Sequence, residues 1–149
     1  MNLNDLAKEC NDYAIRQGFR PDDRPIGVDL MLITSELSEA LEADRKNRYA
    51  NVIRLSELIK DRRETIDDII NFRIPARSHT LMTAQNETED ETFKNAFESS
   101  IKDSVEDEIT DALIRILEYC GEKHIDIQLH YELKMRYNNL REYKHGKSY

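Results

Sequence analysis

Two pairs of acidic residues carry the spacing of a possible cation site. Glu36 and Glu39 stand three residues apart in "SELSEALEA", and Glu108 and Asp111 do the same in "VEDEITDALI". Residues i and i+3 of an α-helix share a face. On a helical wheel each pair borders an apolar stripe, a position that faces a neighbouring helix or a cleft. If the two helices are neighbours, four carboxylates converge. Unit charges about 5.5 Å apart repel by roughly 3 kcal/mol at an effective dielectric near 20. Six such pairs sum to on the order of 10 kcal/mol, comparable with the whole stability of a domain, about 5–15 kcal/mol. Such a cluster has to hold protons or a cation. Oxygen ligands without His or Cys select a hard ion, Mg²⁺ first and Mn²⁺ second.

Spacing alone leaves a second reading open. Acid-x-x-acid also occurs at Glu9/Asp12, Asp61/Glu64, Glu64/Asp67 and Glu87/Asp90. Glu is a good helix former, so a solvated acidic face on a non-catalytic helical interaction module uses the same letters. A di-iron centre would need Glu-x-x-His on two helices; His79, His124 and His130 have no glutamate three residues before them, and Glu142/His145 alone supplies one such pair, not two. Phosphate-binding loops, CxxC and GxSxG are absent. Cys10 and Cys120 lie in apolar helical contexts and read as buried free thiols.

The elements that position these acids read as helices. Only 4 Gly and 3 Pro occur in 149 residues, with Leu, Ile, Glu, Lys, Arg and Asp abundant. The pattern predicts an all-α fold, a single domain over 1–149 with a four-helix-bundle-like core. A first helix starts at Asn2 or Asn4 and runs to about Gln17, with Gly18 as its stop and Leu3, Leu6, Ala7, Cys10 and Ala14 on its apolar face. A second runs from about Gly27 to Lys46 with the stripe Leu30, Ile33, Leu37, Ala40, Leu41. A third runs from about Lys102 to Cys120, closed by Gly121, with Val105, Ile109, Ala112, Leu113 and Ile116 inward. A fourth, capped by Asp126, runs to about Glu142 with Leu129, Leu133, Tyr137 and Leu140 inward. Residues 49–100 read as an insertion between the second and third core helices. It holds one or two short helices, a break at Pro75 and a mobile loop around 76–90.

A formal net charge of −8 argues against nucleic acid or an anionic membrane as partner. It allows a polyphosphate substrate when a metal ion mediates. The chain shows no membrane-length apolar run and no signal-like start, which predicts a cytoplasmic protein.

"SELSEALEADRKN" followed by "VEDEITDALIRILEYCG" resembles the MazG-like nucleotide pyrophosphohydrolases, an all-α group with E-x-x-E on one helix and E-x-x-D on the next. The resemblance covers about residues 10–48 and 100–149, including "KMRYNNLREYKHGKSY", and skips the middle. It implies Mg²⁺-dependent hydrolysis of nucleoside triphosphates, those of the deoxy series first, to monophosphate and pyrophosphate. The metal ligands it implies are Glu36, Glu39, Glu108 and Asp111. It also implies substrate contacts from Lys134 and Asn138, and a homodimer or homotetramer. Glu39 is the candidate for orienting or deprotonating the attacking water, and Glu42 continues its series towards a second ion or towards solvent. Lys134, Asn138, Arg141 and His145, at i, i+4, i+7 and i+11, form one polar face on which Lys134 and Arg141 can hold phosphates. Phe19 reads either as a stacking surface for a base or as a core plug.

Overall fold

The computed structural model of the protein describes residues 2–19, 24–70 and 88–141. These residues form six α-helices and no strand: α1 (Leu3–Arg16), α2 (Ile26–Arg45), α3 (Val52–Ile70), α4 (Glu89–Ser100), α5 (Val105–Glu122) and α6 (Ile127–Asn139). The chain is all-α, and the helical insertion between the second and third core helices is α3 and α4. The expected break at Pro75, most of the loop around 76–90, and His79 and His145 lie outside the described residues.

The chain divides into two compact units, residues 1–36 with 110–149, and residues 37–109. The first is built from four helical segments: α1, the start of α2, most of α5, and α6. Asn2 and Asp5 form a reciprocal cap at the start of α1, with Asp5 N donating to Asn2 Oδ1 at 2.9 Å and Asn2 N to Asp5 Oδ2 at 3.1 Å. Asp126 caps α6 by accepting from Leu129 N at 3.0 Å. The same carboxylate accepts from Asn4 Nδ2 at 2.8 Å, and Asn4 Oδ1 accepts from Gln128 N at 3.1 Å. The two caps thus tie the starts of α1 and α6 together. Two hydrogen bonds favour the charged form, so the Asp126 carboxyl is held below the ordinary aspartate value, the Asn4 amide contributing most.

Gly18 ends α1 as its sequence predicts, at φ +74°. Gly121 does not end α5. The helix passes through it to Glu122, and the left-handed residue is His124 at φ 52°, beside Ile125 N donating to Cys120 O at 2.9 Å. Gly121 is needed for proximity: a Cβ there would stand 2.3 Å from the Ala7 carbonyl oxygen. Around this crossing Ala7, Leu117 and Cys120 are buried, with Leu6, Cys10, Ile125 and Ile127 packed against them. Both cysteines are free thiols, raised from their ordinary value chiefly by burial.

The second unit holds α3 and α4, which pack on each other, and the adjoining ends of α2 and α5. α3 is one continuous helix, where the sequence left room for two. α4 begins inside the stretch expected to be a loop. Thr88 and Glu91 form a capping box there, with Glu91 N donating to Thr88 Oγ1 at 3.2 Å and Thr88 N to Glu91 Oε2 at 2.7 Å. The unit is stitched by Asn51 N donating to Ser100 O at 2.8 Å, Val105 N to Arg48 O at 3.0 Å, and Ala50 N to Glu106 Oε2 at 2.8 Å. α5 starts at Val105, three residues later than expected, because Lys102 and Asp103 form a turn with Asp103 at φ 57° and the Ser104 hydroxyl then accepts from Asp107 N at 3.3 Å. α6 stops at Asn139, short of the expected Glu142.

The stripes expected to face inward are the largest correction. Leu30 is 53% exposed, and Leu37, Leu41, Ile109, Leu113, Ile116, Leu129, Leu133, Tyr137 and Leu140 are exposed as well. The buried apolar residues among those described are six alanines (7, 14, 40, 43, 96 and 112) with Leu117 and Cys120. Helical periodicity shows which residues share a face, not what covers that face. In the single chain small residues fill the helix crossings, and the large aliphatics remain outside.

Candidate metal centre

The expected acids meet in part. One carboxylate oxygen from each of Glu36, Glu108 and Asp111 lies within 4.8 Å of the others. Each position follows from its helix. Glu36 is on α2, in the third turn. Glu108 lies in the first turn of α5, and Asp111 is one turn further along that helix. Glu36 is 7% exposed and Glu108 6%, while Asp111 is open to solvent. Glu39 is one turn beyond Glu36, exposed and outside this group of three. Glu42 pairs with Lys46 Nζ at 2.6 Å, and that bond holds its carboxyl below the usual range.

Two buried carboxylates this close repel by about 3–4 kcal/mol at an effective dielectric near 20. Two features offset part of this. Glu108 stands at the positive end of the α5 dipole. Arg115 Nε donates to Glu36 Oε1. The donor set is all oxygen, two of its members are shielded from water, and the third opens to solvent. That set fits a hard divalent cation that keeps open coordination positions.

Sequence reasoning missed the arginines. Arg115 follows Asp111 by four residues, so the two share a face of α5, and that spacing was the available signal. Arg24, in a segment expected to be only a turn, donates from Nη2 to Glu118 Oε1 at 2.8 Å and lies with Nε 3.0 Å from Asp29 Oδ1. All three side chains of that triad are largely buried. Tertiary pairing of this kind leaves no periodic trace.

A cavity of about 360 Å³ within the first unit reaches Asp111. Tyr13, Phe19 and Ile114 form its apolar wall, and Asp111, Arg115 and Glu118 its polar one. Phe19 is 62% exposed, so it lines the cavity and is not a core plug. The polar face expected on α6 takes a different form. Lys134 Nζ and the Arg141 guanidinium flank the Tyr137 ring, at 5.4 and 5.8 Å from its centre. Asn138 is half-buried beside them, and its shielded amide oxygen has no partner among the described residues. Lys134 also lines a shallow apolar hollow with His130, Leu133 and Tyr137, and none of the predicted substrate residues Lys134, Asn138 and Arg141 lines the cavity beside Asp111.

No described helix is long and apolar enough to cross a membrane. No family model matches this chain, and comparison with curated proteins and with solved structures returned no match.

Proposed function

We propose that this chain is a Mg²⁺-dependent nucleoside triphosphate pyrophosphohydrolase, cleaving the α–β phosphoanhydride to monophosphate and pyrophosphate. The observation that carries the reading is the approach of Glu36, Glu108 and Asp111 to within 4.8 Å of one another, two of them buried. The resemblance of the two acidic motifs to MazG-like enzymes supplies the reaction class. A solvated acidic face on an interaction module accords poorly with buried Glu36 and Glu108.

In this proposal Glu36, Glu108 and Asp111 hold the cation, with Mn²⁺ as the alternative. When bound, it neutralises phosphate charge and supplies Lewis-acid activation of the anhydride and of water. The exposed carboxylate of Glu39, one turn beyond Glu36, orients or deprotonates the attacking water. The base stacks on the Phe19 and Tyr13 wall of the cavity, placing the phosphates towards Asp111. Lys134 and Asn138 of α6, with Arg141 just past its end, are the further substrate contacts of this reading, although none of them lines that cavity in the single chain. The site works in a homodimer or homotetramer, and the open aliphatic stripes of α2 and α5 are the surface that pairing buries.

The test is a screen of ribo- and deoxynucleoside triphosphates with Mg²⁺ for pyrophosphate release. At least one should turn over, and Glu36→Gln should lower that rate by about a thousandfold, equivalent to roughly 4 kcal/mol. Wild-type turnover in Glu36→Gln would remove Glu36 from the ligand set, and no turnover of any nucleotide would refute the activity.

A further inference from the structure

Two arginines in the first unit meet buried acids in different ways. Arg24 lies between Asp29 and Glu118 with its side chain 12% exposed, a fixed structural counter-ion. Arg115 reaches Glu36 with its side chain 35% exposed against 10% for the glutamate. The acid is fixed and the arginine has room. That room is the cavity beside Asp111, which Arg115 itself lines.

We propose that Arg115 is a displaceable counter-ion of the acidic cluster: it neutralises Glu36 in the cation-free protein and is released by cation binding to meet the anionic end of the substrate. This rests on the pyrophosphohydrolase reading and adds a substrate-binding residue to it. Guanidinium stays charged at any physiological pH, so it cannot yield its place by losing a proton. A divalent ion on Glu36 and a guanidinium on the same carboxylate repel each other. Cation binding therefore breaks the Arg115–Glu36 bond or proceeds with reduced affinity. Once turned into the cavity, the planar fork matches two phosphate oxygens. The cation then both fills the carboxylates and frees the arginine, so metal and polyphosphate favour one another's binding through a shared residue. An arginine of purely structural duty, like Arg24, has no such linkage.

The test is Mn²⁺ titration of the substrate-free protein, followed by electron paramagnetic resonance of free Mn²⁺, in wild type, Arg115→Gln and Arg115→Lys. A non-hydrolysable triphosphate analogue is then titrated into each Mn²⁺-loaded protein. Arg115→Gln should bind Mn²⁺ about tenfold more tightly, because the competitor is gone, and the analogue about tenfold more weakly. Arg115→Lys, which keeps the charge, should stay within a few-fold of wild type for Mn²⁺, and it carries the analogue comparison if the glutamine variant does not fold. Unchanged or weaker Mn²⁺ binding in Arg115→Gln, with wild type binding normally, overturns the counter-ion role and leaves the metal site standing. Absence of Mn²⁺ binding by wild type overturns both.

Discussion

The crossing of α1 with α5 and the outer stripes of α2 and α5 are built from opposite materials. At the crossing Gly121 admits the Ala7 carbonyl, and Ala7, Leu117 and Cys120 are buried together. On the stripes Leu30, Leu37, Leu41, Ile109, Leu113 and Ile116 stand open. Small residues let backbones approach and supply stability through close packing. Large aliphatics left in water contribute little until another surface covers them. The same two helices, α2 and α5, bury Glu36 and Glu108 while Leu37, Leu41 and Leu113 stand open. That inversion is what a binary reading of amphipathicity does not anticipate.

The crossing side should be the easier to damage. Gly121→Ala forces a Cβ against backbone, which cannot swing aside, and should cost about 3 kcal/mol, or roughly 6–12 °C in Tm. A thermal melt near the wild-type midpoint would show that α1 and α5 are less closely packed than described.

A smaller loss is expected at the caps that join α1 and α6. The Asp126 carboxyl is held below its ordinary value, so the unfolded chain binds its proton first on acidification. Its contribution is complete above the unfolded pKa, about 3.9, and is lost as pH falls through the depressed folded value. Asp126→Ala should lower Tm less than Gly121→Ala does, and the difference from wild type should shrink as pH drops below about 4. A deficit independent of pH would assign the effect to the backbone and not to the carboxylate.

The outer stripe should respond least in folding and most in assembly. Leu113 is 50% exposed, so Leu113→Glu should change the melt of the isolated chain by no more than about 0.5 kcal/mol. Light scattering should show it shifting an oligomer to the monomer. An unaltered assembly would mean that α5 is not the paired surface.

What was legible in the sequence followed from local chemistry. The Asn2 and Asp126 caps, the Gly18 stop and the shared face of Glu108 and Asp111 are short-range features, and the fold contains them. The Thr88–Glu91 box was equally local and equally legible, but polar residues around it masked the start of α4. Gly121 misled because glycine serves both helix ends and close crossings, and only the partner helix distinguishes them. Arg24, Arg115 and the burial of Glu36 depend on tertiary neighbours, so periodicity carried no trace of them. Glu9 and Asp12 share the spacing of the candidate site without joining it, which shows how little the interval alone specifies.

The central claim is that Glu36, Glu108 and Asp111 together hold a hard divalent cation, and a thermal melt with and without Mg²⁺ tests it most directly. At a hundredfold excess over Kd the wild-type chain should gain about 2.7 kcal/mol, a rise of roughly 5–10 °C, while Glu36→Gln should show little of that gain. A midpoint unmoved by millimolar Mg²⁺ or Mn²⁺ in the wild-type protein would contradict it.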